Sequence, residues 1–173
     1  MWRRQYGVSL LETLLVVALV LVFVLLASQR IMELRHAAER VGVQRTIATL
    51  QSALGTQMGV LVLQRGPEAL PALHLSNPVA LLDPPPPNDL GEHEGPPEPL
   101  PPGSWYFDRG TRELVYRVRY PEQYHSEDWQ QPQWLRLQLR AHQHDGALQR
   151  ISLDVLHPYR WQGASVDQAG VAE

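Results

Sequence analysis

Gly7-Val8-Ser9-Leu10-Leu11-Glu12-Thr13 runs straight into residues 14–27, LLVVALVLVFVLLA, fourteen positions without one polar side chain. Counted from Val8, the apolar stretch is twenty residues long, and only Ser9, Glu12 and Thr13 in it are polar. At about 1.5 Å per residue, a helix of that length spans about 30 Å, the thickness of a bilayer's hydrocarbon core. The stretch therefore reads as a membrane-spanning helix. A secretory signal peptide has an apolar core of roughly 7–15 residues and then a small-x-small cleavage site. Here Leu25-Leu26-Ala27 puts a leucine at the outer small position. A plain anchor accounts for the length but leaves Glu12 unexplained. A charged side chain in a span costs about 2.5–3.5 kcal/mol near the centre and less towards an end. Glu12 therefore asks for a partner.

Upstream, Met1-Trp2-Arg3-Arg4-Gln5-Tyr6 forms a short basic leader that ends at Gly7. Leader, glycine, a glutamate at the fifth position after it and an immediate apolar run together resemble the prepilin leader of type IV pilins and type II secretion pseudopilins. The resemblance implies cleavage by prepilin peptidase between Gly7 and Val8 on the cytoplasmic side, and N-methylation of Val8. It implies that Glu12 pairs with the terminal amine of a neighbouring subunit as helices align in a filament. The implied partners are the peptidase, other pilin or pseudopilin subunits, an inner-membrane assembly platform and membrane lipid. Val8 stands where the family most often has phenylalanine, and Gln29 stands near the place of its frequent mid-helix proline. Minor subunits more often lack that proline, so the resemblance points to a minor component.

The implied pairing has a physical basis. Opposite charges at about 4 Å attract by about 4 kcal/mol at an effective dielectric near 20, and a helix N-terminus favours a nearby carboxylate. Charge counting leaves the orientation open, because Arg3 and Arg4 precede the span while Arg30, Arg35, Arg40 and Arg45 follow it. The cleavage motif decides for a cytoplasmic N-terminus and a periplasmic head in the bacterial inner membrane.

Composition narrows the chemistry. The chain has 173 residues, a formal charge of −3 and 44% hydrophobic residues, which excludes a disordered acidic tail and a basic nucleic-acid binder. It has no cysteine, and all 15 basic residues are arginine, so thiol and lysine-nucleophile chemistry are absent. Of the 15 prolines, 12 lie between Pro67 and Pro102. The chain is therefore strongly segmented.

Beyond the span, Val43, Ile47, Leu50, Leu54, Met58 and Leu61 recur at helical steps, with Arg35, Glu39, Arg40, Arg45 and Gln51 on a solvated face. One long helix is expected from about Ser9 to the region of Gly59–Leu63. The expected divisions are a leader at 1–7, a membrane segment at 8–29, a periplasmic continuation at 30–63 and a proline-rich acidic loop at 64–104. A β-sheet head at 105–160 and a loose tail at 161–173 complete them. In the head, Leu114, Tyr116, Val118 and Tyr120 alternate with Glu113, Val115, Arg117 and Arg119. Leu135, Leu137 and Leu139, then Ile151, Leu153 and Val155, repeat the pattern around a turn at His144-Asp145-Gly146. The expected class is α+β: a pilin-like long helix packed on an antiparallel sheet of about four strands.

Other chemistry is thinner. His142, His144 and Asp145 could form a metal cluster but fall at an expected hairpin turn. Asp83, Asp89, Glu92 and Glu94 match no calcium-ligand spacing. Asp108, Glu113, Glu127 and Asp128 could supply a carboxylate pair, but nothing fixes their separation. Arg117, Arg119, Arg136 and Arg140 read as a solvated face paired across strands with Glu113 and Asp154. The expectation is a structural subunit of a type IV pilus or type II secretion pseudopilus, with no catalytic site, metal or cofactor. Two alternatives remain: an anchored periplasmic binding domain that never polymerises, and an anchored hydrolase using head carboxylates.

Overall fold

The computed structural model describes residues 10–74, 76–86, 88–144 and 147–162. The chain divides into two units, Met1–Ala38 and Glu39–Glu173. The helix α1, Leu10–Arg65, is continuous over 56 residues. It ends where the sequence requires. Gly66 adopts φ 84°, a conformation open to glycine, its N–H returns to the Val62 carbonyl at 3.0 Å, and Pro67 cannot continue the helix.

In the second unit the apolar stripe of α1 faces the core. Val43, Leu50 and Leu54 are buried, and Ile47, Met58 and Leu61 pack against the same cluster. Gly55 and Gly59 lie in the same stretch, and a methyl group at either position meets no atom within 4 Å. Gly59→Ala is therefore expected to stabilise the head by about 0.5–1 kcal/mol through reduced chain entropy. A rise in the thermal midpoint checks this.

The main sheet has five strands, not about four, and it is mixed. Its order is β1 (Asp89–His93), β2 (Trp105–Asp108), β3 (Glu113–Arg117), β5 (Trp134–His144), β6 (Ala147–Val155). A further pair, β4 (Tyr124–Ser126) with β7 (Tyr159–Trp161), forms a second small sheet. The extra strand comes from the segment expected to be an irregular loop. That segment also holds a short helix α2 (Leu70–His74) and 3₁₀ turns at Pro67–Ala69 and Pro78–Leu81. Asp-Leu-Gly-Glu-His has poor strand propensity. Tertiary bonding recruits it: Trp105 N–H donates to the Asn88 carbonyl at 3.0 Å and Arg109 N–H to that of His93 at 2.9 Å.

β1 runs parallel to β2. A hairpin cannot join parallel neighbours, so the chain must cross a face of the sheet between them. The proline-rich residues 94–104 make that crossing, and arginine side chains fasten them. Arg117 donates to the Leu100 carbonyl, and the Arg119 guanidinium lies against Gly103, which has φ 83°. Ser104 Oγ donates to the Pro101 carbonyl at 2.5 Å, and the Asn88 amide donates to that of Gly103. Residues 94–104 thus contain neither helix nor strand.

The helix-facing side of the sheet carries Trp105, Phe107, Leu114, Tyr116, Leu135, Leu137, Leu139, Ile151 and Leu153 in one apolar cluster. The opposite side is not simply solvated, since Tyr106 and Val115 are also buried there. They sit in register with Arg136, beneath the crossing segment's side of the sheet. Both edges are blunted. β1 is short and irregular at Gly91, and Ile151 and Leu153 on β6 are buried, with the Gln51 amide donating to the Leu153 carbonyl at 3.4 Å.

The expected loose tail begins too early. Trp161 is buried and stacks edge-on with Tyr124 at 4.9 Å between ring centres. Burial pushes the Tyr106 hydroxyl up to about 12 and also raises those of Tyr116, Tyr124 and Tyr159. Each raised acid favours folding below the ordinary tyrosine value, near 10, and that contribution is lost as pH rises through the folded value. Alkaline unfolding is therefore expected to begin above about pH 10. A pH titration of the near-ultraviolet signal checks it.

Candidate functional site

The first unit presents apolar surface and one acid. From Leu10 to Leu26 the large apolar side chains are all exposed, none below 51%. This is the one helix among the described residues long and apolar enough to cross a membrane, and none of its most apolar stretch is buried within the protein. Monomeric soluble proteins rarely expose apolar patches of that size. Glu12 stands on α1 two residues after Leu10, the first described residue, as the one carboxylate of the apolar stretch. Gly7, Val8, Arg3 and Arg4 lie outside the described residues. The geometry of a contact between Glu12 and a chain end therefore rests on the sequence alone.

In the second unit a different glutamate is central. Glu39, expected on the solvated face, accepts hydrogen bonds from the Tyr116 hydroxyl at 2.9 Å, from Arg119 N–H at 2.6 Å and from Tyr120 N–H at 3.0 Å. The chain beyond β3 turns its N–H groups towards α1 there, and the carboxylate satisfies them. Burial first, and then the charge and hydrogen bond of Glu39, hold the Tyr116 hydroxyl in its protonated, donating form. No periodicity marks Glu39, because its partners are backbone groups some 80 residues away.

The carboxylates singled out in the sequence have structural duties. Asp108 Oδ1 accepts from Gly110 N–H at 2.8 Å, Gly95 N–H at 3.2 Å and Thr111 N–H at 3.4 Å, fixing the turn after β2. Asp128 is buried; its Oδ1 accepts from Gln130 and Gln131 N–H at 3.1 Å each, and its Oδ2 lies 3.4 Å from Arg136 Nε. Arg136 also lies 3.9 Å from Glu113, and its guanidinium stands 5.6 Å from the Trp134 ring centre. Burial raises the Glu113 carboxyl, and Arg136 opposes that shift. Glu127 gives its backbone N–H to the Pro158 carbonyl at 3.0 Å. Asp128→Ala strips two turn caps and one partner of a largely buried arginine, so a loss of about 2–3 kcal/mol is expected. Asp128→Asn, which can keep the caps, is expected to lose less in the same denaturant titration.

The arginine face divides in two. Arg136 and Arg140 meet Glu113 and Asp154 across strands, each at 3.9 Å, as expected, whereas Arg117 and Arg119 serve the crossing segment. His142 Nε2 lies 2.7 Å from Ser152 Oγ, while the His144 side chain and Asp145 are outside the description. Among the described residues no three metal-ligating side chains converge. A shallow groove of about 470 Å³ runs between Pro96–Leu100 and Gln131–Trp134 over Arg117, and a hollow of about 420 Å³ is lined by Asn77, Glu92, Arg109 and Arg112. Comparisons with protein-family models, with curated proteins and with solved structures find no match for this chain.

Proposed function

We propose that this chain is a pilin-like structural subunit, processed by prepilin peptidase after Gly7, methylated on Val8 and built into a type IV pilus or type II secretion pseudopilus as a minor component. One observation supports this above the rest. A single unbroken helix leaves its first apolar stretch bare, carries one carboxylate there, and continues into the core of a folded α+β head. Lipid can cover that stretch in the membrane, and neighbouring helices can cover it in a filament. Glu12 then finds the new amine at Val8, and each charge relieves the other's exposure to hydrocarbon. Membrane lipid, sister subunits and the inner-membrane platform are the partners this requires.

Fractionation tests the reading against a simple anchor. With the assembly machine active, the chain is expected in the sheared filament fraction or cross-linked to other subunits. Without the machine it is expected only in the inner membrane. A chain that stays in the membrane, uncross-linked, under both conditions is a non-polymerising anchored domain.

A further inference from the structure

The helix-facing side of the main sheet is apolar until it reaches the turn between β2 and β3. There an acid and two arginines stand around an open hollow. Glu92 is the β1 neighbour of Phe107, and cross-strand neighbours share a face. Phe107 in turn lies opposite Leu114 on β3, and both belong to the core cluster. The turn itself, residues 109–112, carries an arginine at each end. Asn77 and Ala80 come from the capped 3₁₀ turn at Pro78–Leu81, whose Val79 packs into the same cluster. With them, Glu92, Phe107, Arg109 and Arg112 line the hollow of about 420 Å³.

Its charged groups are held in place yet left largely unpaired. Arg112 has φ 57°, the one non-glycine residue with positive φ among the described residues, a conformation costly to a side chain and open to glycine. The turn is fixed around it: Asp108 Oδ1 accepts from Gly110 and Thr111 N–H, and Gln138 Nε2 donates to the Thr111 carbonyl at 3.2 Å. Arg112 and Glu92 have no ion-pair partner among the described residues, and Arg109 has only the exposed Glu94, at 3.9 Å. Glu92 and Glu94 offset the two arginines, so the hollow offers no excess positive charge to a phosphate dianion or a polyanion. A singly charged carboxylate suits it.

We infer that this hollow receives the C-terminal residue of a partner polypeptide, one that ends in an apolar side chain. The α-carboxylate meets Arg109 and Arg112, whose planar forks match its geometry. The terminal residue's N–H donates to Glu92, and its side chain rests on Phe107 and Ala80. An open hollow suits a chain end, because the residues behind it must leave; a free small molecule takes a site that encloses most of its surface. Glu92 disfavours an acidic terminal side chain by like-charge repulsion. The inference goes beyond the subunit reading and does not depend on it, since an anchored domain that never polymerises has the same hollow.

Saturation-transfer difference NMR on the full chain in detergent tests it, with the pentapeptide Gly-Ser-Gly-Ser-Leu as probe. Saturation is expected to be strongest on the terminal leucine methyl groups. The same peptide with an amidated C-terminus is expected to bind about tenfold more weakly, because the charge-assisted bonds to the arginines are lost. A peptide ending in glutamate is expected to bind a few-fold more weakly to the native chain and to recover that loss on Glu92→Gln. Arg109→Ala is expected to weaken binding about tenfold. Arg112→Gly is expected to weaken it as much while the thermal midpoint does not fall, because glycine adopts positive φ freely; an arginine with only a structural role cannot give both results. Equal binding of the acid and amide peptides, no saturation of the leucine by the native chain, or an Arg112→Gly variant that binds as the native chain does would each overturn the assignment. So would displacement of the peptide by inorganic phosphate at a concentration at which acetate has no effect, which would make the arginines a phosphate site. Peptide binding is read without any filament, so its failure leaves the subunit reading standing.

Discussion

Glu12→Ala is expected to enter the membrane at least as well as the native chain and to lose at least tenfold in filament incorporation. The two halves of that result have one cause. Inserting a carboxylate into a span is unfavourable, so removing it cannot hinder entry. Between packed helices the same group is proposed to meet the amine of Val8 in a medium of low dielectric, where losing an opposite charge costs more than one power of ten. Glu12→Gln separates charge from size: it fills the same space and is expected to incorporate almost as poorly as alanine. Co-purification with a tagged filament subunit supplies the readout. Normal incorporation of Glu12→Ala would count heavily against the pairing.

The second large effect is expected at Glu39. Its carboxylate takes three donors, two of them backbone N–H groups. Hydrogen bonds to a charged group contribute about 1.5–3 kcal/mol each, but three at one carboxylate do not add in full. Glu39→Ala is therefore expected to cost the head about 3–4 kcal/mol, a fall of roughly 8–15 °C in its thermal midpoint. Tyr116→Phe removes one of the three donors and is expected to cost about 1–2 kcal/mol. In the double variant the tyrosine change should cost almost nothing further, since its acceptor is already gone. Full additivity would mean that the hydroxyl and the carboxylate act independently.

Glu39 also separates local sequence signals from those that only tertiary contacts create. The α+β layout was legible because its signals are local. Residues 14–27 are uniformly apolar, the stripe from Val43 to Leu61 keeps helical steps, and strands β3, β5 and β6 alternate. The fifth strand was not, because Asp89–His93 has neither alternation nor propensity and is recruited by bonds to β2. Strand β7 was hidden by its length, since Tyr159–Trp161 offers three residues directly after a proline. The burial of Tyr106 and Val115 on the second face follows from no pattern in the strands. Glu12 stood out because a lone acid in an apolar run is costly. Glu39 and Asp128 did not, because an acid among polar neighbours gives no sign of the backbone N–H groups it will meet.

The intact mass of the chain recovered from native membranes tests the central proposal most directly. The predicted mass is that of a chain beginning at Val8 and carrying one added methyl group on its amine. A chain that retains Met1 to Gly7 would contradict it, because no free amine at Val8 would then be present for Glu12 of a neighbouring subunit to meet.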